Sequence, residues 1–295
     1  MKGLIVTADD FGASIEVNEA VEIGHRRGVL TAASLMVAGP AAADAVRLAL
    51  RLPSLRVGLH LVLVEGAPLL PPSALEGLVD SAGRLRADMA SAARDLFFSP
   101  ALRRRAAAEI EAQFAAFAAT GLPLDHVTVH KHYHLHPTVA GLLLEAGARH
   151  RLRSARVPRE PEEVLAAADP SYQPNAPWLT GPWAALTAAR FRAAGVKSPA
   201  RSFGLRWSGA MTAARLRGLI ARLPAGISEI FLHPAMAADF PGAAPGYGYL
   251  AELDALLSGS VRRAVHSAGA RLGGFSDFHG ASWLGGPPRT VAPRP

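Results

Sequence analysis

Asp125-His126-Val127-Thr128-Val129-His130-Lys131-His132-Tyr133-His134-Leu135-His136-Pro137 lies near the middle of the chain and holds five of its 11 histidines. Its opening reads as a strand, because Val127, Thr128 and Val129 are β-branched side chains that suit a pleated surface. Pro137 then opens a helical pattern, as proline does at a first helical position. A strand that ends in His-x-His-x-His-x-His makes a metal site the first hypothesis. Histidines two apart on a strand share a face but sit roughly 6.6 Å apart. One ion therefore cannot take all four of His130, His132, His134 and His136 from an ideal strand. One or two would bind it, the rest would line a cleft, and further ligands must come from elsewhere. A histidine-rich surface loop is the alternative.

The same rhythm of strand then helix extends in both directions. Strand-like runs fall at 4–7, 32–37, 56–61, 154–157, 202–207, 227–232 and 271–275. Helical patterns fall between them, at 15–27, 41–51, 100–119, 138–149, up to about 194, and at 212–223, 250–257 and 259–268. Strands that alternate with helices imply parallel βα units. The expected class is α/β, a distorted or incomplete (β/α) TIM-like barrel of about seven parallel strands. An open doubly wound sheet is the alternative, although no Gly-x-Gly-x-x-Gly or Walker-type loop supports nucleotide binding. One domain is expected over residues 1–284, followed by a Pro/Arg-rich tail at 285–295. Residues 158–183 are rich in proline and lack periodicity, which suggests a lid loop.

Composition narrows the chemistry. Lys and Arg total 31 against 24 Asp and Glu, a formal charge of +7, and only Lys2, Lys131 and Lys197 are lysines. The densest basic run, Arg103-Arg104-Arg105, falls on a helical pattern and reads as a solvated face, so no nucleic-acid partner is expected. The absence of cysteine excludes disulfides, thiolate-bound zinc and thiol nucleophiles. The first apolar run is broken at Asp9-Asp10, too early for a signal peptide or membrane span. A cytoplasmic protein is expected.

Ionisable residues recur where the predicted strands end: Asp9-Asp10, His60, His130 and His233. The C-terminal face of a βα barrel carries its active site, so these residues would converge there. One carboxylate and two imidazoles would hold a divalent ion and leave positions for water and substrate. A second carboxylate would take the water's proton and a second histidine would protonate a leaving amine. That set suits hydrolysis of an amide.

Ala8-Asp9-Asp10-Phe11-Gly12 with Val17-Asn18-Glu19, Gly58-Leu59-His60-Leu61, His130-x-His132-x-His134-x-x-Pro137 and His233-Pro234 resemble the motifs of the YdjC/ChbG carbohydrate deacetylases. The match runs in order over roughly residues 3–280. The resemblance implies a distorted barrel that removes an N-acetyl group from an amino sugar. It implies Asp10, His60 and His130 as ligands of one divalent metal ion; two histidines and one aspartate favour Zn²⁺ on ligand softness, with Mg²⁺ allowed. It implies Asp9 as general base and His233 as general acid, with His132 and His134 beside the site. The chain departs at Thr128, where members often carry Asp, which leaves open what supports His130. Trp178–Trp183 and Phe203–Thr212 further resemble the hopanoid-biosynthesis branch, HpnK. That branch implies a lipid-linked N-acetylglucosamine substrate. Trp178, Trp183 and Trp207 then become candidate substrate contacts, and the Trp-containing loop a candidate peripheral contact with the inner face of the membrane. A soluble chito-oligosaccharide substrate, a non-catalytic glycolipid-binding protein and a phosphoester hydrolase are the alternatives.

Overall fold

β1 (Lys2–Phe11) is the hub of an all-parallel sheet. It pairs with β6 (Gly226–Leu232) from Lys2↔Gly226 to Ala8↔Leu232, and on its other edge with β2 (Ala32–Leu35). β2 leads on to β3 (Arg56–Leu61) and β4 (Val127–Val129), and β6 to β5 (Arg201–Phe203). β7 (Ala270–Leu272) lies along the start of β1. The computed structural model of the chain, which describes residues 1–174 and 180–280, thus shows a curled sheet in the order β4-β3-β2-β1-β6-β5. Between the edge strands, isolated bridges join Val127 to Ala155, Ser154 to Lys197 and Arg159 to Ser202. This is a distorted TIM-like half-barrel, as expected from the alternation.

Strand periodicity divides β1 between two cores. Leu4, Val6 and Ala8 belong to the large cluster shared with the helices. Ile5 points the other way and joins Ala32, Ile227, Phe275 and Phe278 in a plug inside the barrel. Thr7 and Asp9 share that inner face. All of these side chains are buried, which accounts for the near-continuous apolar run of a parallel strand.

The helices are α1 (Ile15–Arg27), α2 (Ala42–Leu50), α3 (Met89–Phe98), α4 (Pro100–Ala119), α5 (Pro137–Arg149), α6 (Glu162–Ala168), α7 (Gly181–Ala193), α8 (Ala213–Ile220), α9 (Tyr249–Leu257) and α10 (Gly259–Ser267). Ser14 caps α1 by accepting from the Val17 amide at 3.2 Å. Four expectations need correction. The histidine-rich strand stops at Val129 and continues as a 3₁₀ turn from His130 to Leu135. Residues 154–157 make only isolated bridges. α3 lies in a stretch left without an element. The described part of 158–183 is not irregular throughout: α6 buries Leu165, and Asp169 pairs with Arg215 of α8 at 2.8 Å. Trp178 and the tail expected at 285–295 lie outside the described residues.

His126 is structural. Its Nδ1 meets Asp125 at 2.9 Å, its Nε2 meets the Ser34 hydroxyl at 3.1 Å, and its ring stacks on Phe275 at 4.2 Å. The ring crosses Gly58, where a Cβ would come within 2.4 Å of the His126 backbone oxygen and 2.6 Å of the ring. Asp125 also accepts from the Phe275 and Ser276 amides, tying the chain's last described turn under the barrel.

Candidate metal centre and active site

Alternation along β1 would send Asp10 outward, toward the helices. Instead the register against β2 shifts between Ala8 and Phe11, and Asp10 adopts φ 62°. This bulge turns the carboxylate into the barrel mouth beside that of Asp9. Aspartate tolerates the left-handed region better than most side chains. Asn18 of α1 braces the turn: its Oδ1 accepts from the Gly12 amide at 2.8 Å and its Nδ2 donates to Ala41 and Asp44.

His60 comes from β3, opposite Thr128 of β4, and His130 follows two residues later on the same face. Asp10 Oδ1 lies 3.2 Å from His60 Nε2 and 3.5 Å from His130 Nδ1, and the two nitrogens are 3.3 Å apart. Three ligand atoms of a tetrahedral zinc site, each about 2.0–2.1 Å from the ion, would be roughly 3.3 Å apart. The near-equilateral triangle has that size, and an octahedral Mg²⁺ site at similar bond lengths would need roughly 2.9 Å. Asp10 Oδ1 is buried and has no hydrogen-bond partner among the described residues. Burial alone would raise the Asp10 carboxyl, but the adjoining His130 and His60 rings hold it well below the usual carboxylate range. The donor set therefore fits a divalent ion.

Thr128 meets a different histidine from the one anticipated. Its Oγ1 lies 2.7 Å from His60 Nδ1, not at His130. Donation by Nδ1–H to the hydroxyl leaves the His60 Nε2 lone pair aimed into the triangle.

Asp9 is buried and grips Arg156: both guanidinium Nη atoms contact its carboxylate, Nη2 reaching Oδ1 at 3.0 Å. The same Arg156 donates to Glu229 Oε1 at 2.7 and 2.9 Å and lies 4.0 Å over the Phe231 ring. Thr7 and Ser202 complete the coordination of Glu229. Burial alone would raise the Asp9 carboxyl, but Arg156, aided by His60 and His233, holds it well below the usual range. Neither Arg156 nor Glu229 was anticipated. The available signal was a charge in the middle of an apolar strand-like run, in Ala155-Arg156-Val157 and again in Ser228-Glu229-Ile230.

His233 follows β6 and faces the same mouth. Its amide donates to Glu252 Oε2, its Nδ1 lies 3.9 Å from that oxygen, and its ring is 5.3 Å from Tyr247. Burial pushes the Glu252 carboxyl up, against the pull of His233.

The remaining candidates separate. Lys131 and His132 take left-handed backbone (φ 54° and 53°), so His132 leaves the strand face and packs 5.1 Å from Phe231. Burial, then Arg156, holds its imidazole well below the usual histidine range. His134 is fully buried and stacks on Phe191 at 6.1 Å. Trp207 is 5% exposed, packed against Tyr172 and Arg215. Trp183 is 48% exposed at the start of α7.

His134 supplies a pH prediction. Burial lowers its pKa from 6.5 to about 3. Below pH 6.5 the unfolded chain binds a proton that the folded chain refuses. Its contribution is therefore complete above pH 6.5 and is lost as pH falls toward 3, by up to about 1.4 kcal/mol per pH unit. Urea unfolding between pH 7 and 4 should show this loss, and His134→Phe should flatten it. An unchanged slope in the variant would assign the acid sensitivity elsewhere.

Residues 3–267 match the family described as YdjC-like protein. A carbohydrate deacetylase of Brevibacillus brevis is 39% identical over 149 residues, covering 50% of this chain and 57% of the relative. One from Geobacillus stearothermophilus is 37% identical over 164 residues, covering 53% and 62%. The chain thus spans a little over half the length of these curated relatives. A crystal structure from Enterococcus faecalis V583, provisionally named a cellobiose-phosphate cleavage protein, superposes with a TM-score of 0.74 at 23% identity, covering 94% of this chain and 98% of that one. That likeness speaks to the fold alone.

Proposed function

The chain belongs to the YdjC-like family, and from that premise we propose that it hydrolyses the N-acetyl group of an N-acetylglucosamine-type sugar, specifically the headgroup of a hopanoid glycolipid. The observation that carries the reaction is the triangle of Asp10, His60 and His130 with Asp9 and His233 on the same mouth. The curated relatives named carbohydrate deacetylase support it. A divalent ion held by Asp10, His60 and His130 would polarise the acetamide carbonyl and acidify water. Asp9, kept ionised by Arg156, is the acceptor for the proton of the attacking water. His233, steadied at its amide by Glu252, donates a proton to the departing amine nitrogen.

The lipid-linked substrate rests on the sequence likeness of residues 178–183 and 203–212 to the hopanoid branch. No helix among the described residues is long and apolar enough to cross a membrane. In this reading the protein is cytoplasmic, residues 1–284 act as one domain, and half-exposed Trp183 supports a surface contact with the inner leaflet. The test is acetate release by zinc-loaded protein from an N-acetylglucosaminyl hopanoid and from chitobiose. Asp10→Ala or His60→Ala should abolish both bound metal and turnover, and chelation should do the same reversibly. Acetate from chitobiose alone would reassign the substrate, and acetate from neither would overturn the reading.

A further inference from the structure

Two loops follow β5 and β6 at the end of the sheet that carries His233. The first, residues 204–211, is bonded at almost every step. Glu160 accepts from the amides of Gly204, Leu205 and Arg206 at 2.6, 2.9 and 3.0 Å. Ser208 Oγ lies 2.7 Å from the Tyr247 hydroxyl. Gly209 accepts from the Gly248 amide at 2.7 Å. The Met211 amide donates at 2.8 Å to Glu252, the residue whose other oxygen holds the His233 amide.

The second loop is held by the Ala244 amide, which donates to the Tyr249 hydroxyl at 2.7 Å, and by the Ala243 amide, which donates to the Phe240 carbonyl at 2.9 Å. It runs Pro241-Gly242-Ala243-Ala244-Pro245-Gly246-Tyr247-Gly248, with Gly242 and Gly246 at φ 92° and 79° and open space around both. Tyr247 is fixed in place by its ring and its hydroxyl. Gly209 takes φ 72°, and a Cβ there would come within 2.3 Å of the Tyr247 ring, so the ring occupies room that only glycine leaves. The ring is 5.3 Å from His233, and the phenol lies within electrostatic reach of Asp10 and Lys131. An aromatic face with an anchored hydroxyl, 5.3 Å from the His233 ring, has the chemistry to hold a pyranose. The ring covers the sugar's C–H face and the phenol meets a hydroxyl.

We propose that Tyr247 is the sugar-recognising residue of the cleft, its phenol hydrogen-bonding an amino-sugar hydroxyl while the clasp between the two loops holds it beside His233. Ser208 is a positioning residue in this scheme, since it acts through the phenol. The proposal rests on the amino-sugar reading above and adds the residue that selects the sugar over other amides.

The test uses full-length, zinc-loaded protein and the disaccharide of glucosamine, the deacetylated form of chitobiose, which has no acetyl group to lose. Calorimetry should show that Tyr247→Phe weakens disaccharide binding about tenfold, the value of one hydrogen bond to a bound ligand. Acetate, the other product, should bind unchanged. Ser208→Ala should weaken the disaccharide about threefold and Ser208→Thr should restore it. In kinetics the same variants should raise KM for chitobiose with kcat within about threefold. Equal loss of disaccharide and acetate binding, or no loss of either, overturns the role of Tyr247. Tyr247-dependent binding without acetate release from any N-acetyl sugar would keep the clasp and sink the deacetylation reading. A wild-type protein that binds no amino sugar sinks both.

Discussion

Asp9→Asn should lower acetate release by about 10²–10⁴-fold, the usual contribution of a general base, while the protein still binds one zinc per chain. Asparagine keeps the shape and part of the contact with Arg156 but cannot accept the proton of water. The ligand triangle does not include Asp9, so metal analysis should be normal. This separates Asp9 from its neighbour: Asp10→Ala should lose both metal and turnover. Metal content and single-turnover acetate release, measured on the same preparations, check the pair. Normal turnover in Asp9→Asn would remove it from the reaction.

Arg156→Met should have the largest effect on stability. Arg156 has no exposed side-chain surface and is the cation shared by two buried carboxylates, Asp9 and Glu229. Removing it leaves both without their cation, a loss of about 3–5 kcal/mol for breaking a buried pair. Adding Glu229→Gln should recover part of that loss, because one of the two stranded charges is gone. It should not recover activity. The sign of the pH effect also follows. Arg156 is the main force keeping Asp9 ionised against burial, so without it the Asp9 pKa rises. The acid limb of the rate profile should then move to higher pH. Denaturant unfolding of the single and double variants, with their pH–rate profiles, checks both halves. A stable Arg156→Met protein with an unmoved acid limb would contradict the assignment.

The parallel architecture, and the strand ends that bring Asp10, His60 and His130 together, were legible because each rests on a local signal. Apolar runs of four to eight residues end in an ionisable group, and βα alternation sends those ends to one face. What was not legible depends on backbone turns that the residue types do not announce. Lys131 and His132 are not obvious candidates for left-handed conformation, so the His-x-His repeat looked like a strand when the chain in fact turns after His130. The bulge at Asp10 was equally silent, and without it two adjacent carboxylates would face opposite sides of the sheet. Thr128 was visible as a departure, but its partner depends on the cross-strand register with His60, which pairing alone fixes. Arg156 and Glu229 left a trace, opposite charges inside two apolar runs 73 residues apart, with nothing local to show that they meet.

The pairing of β1 with β6 has a consequence for how the chain is made. Asp10, His60 and His130 have all left the ribosome once His130 has, and β1 to β4 can then pair with one another. The other edge of β1, which carries Leu4, Ile5 and Val6, waits for residues 226–232. At roughly 5–20 residues per second that interval is about 5–20 s. During it the nascent protein holds an unpaired apolar edge, a ready template for another chain. Ribosome-bound chains stopped after β4 has cleared the ribosome and before β6 is made should therefore recruit chaperones, and chains extended until β6 has emerged should release them.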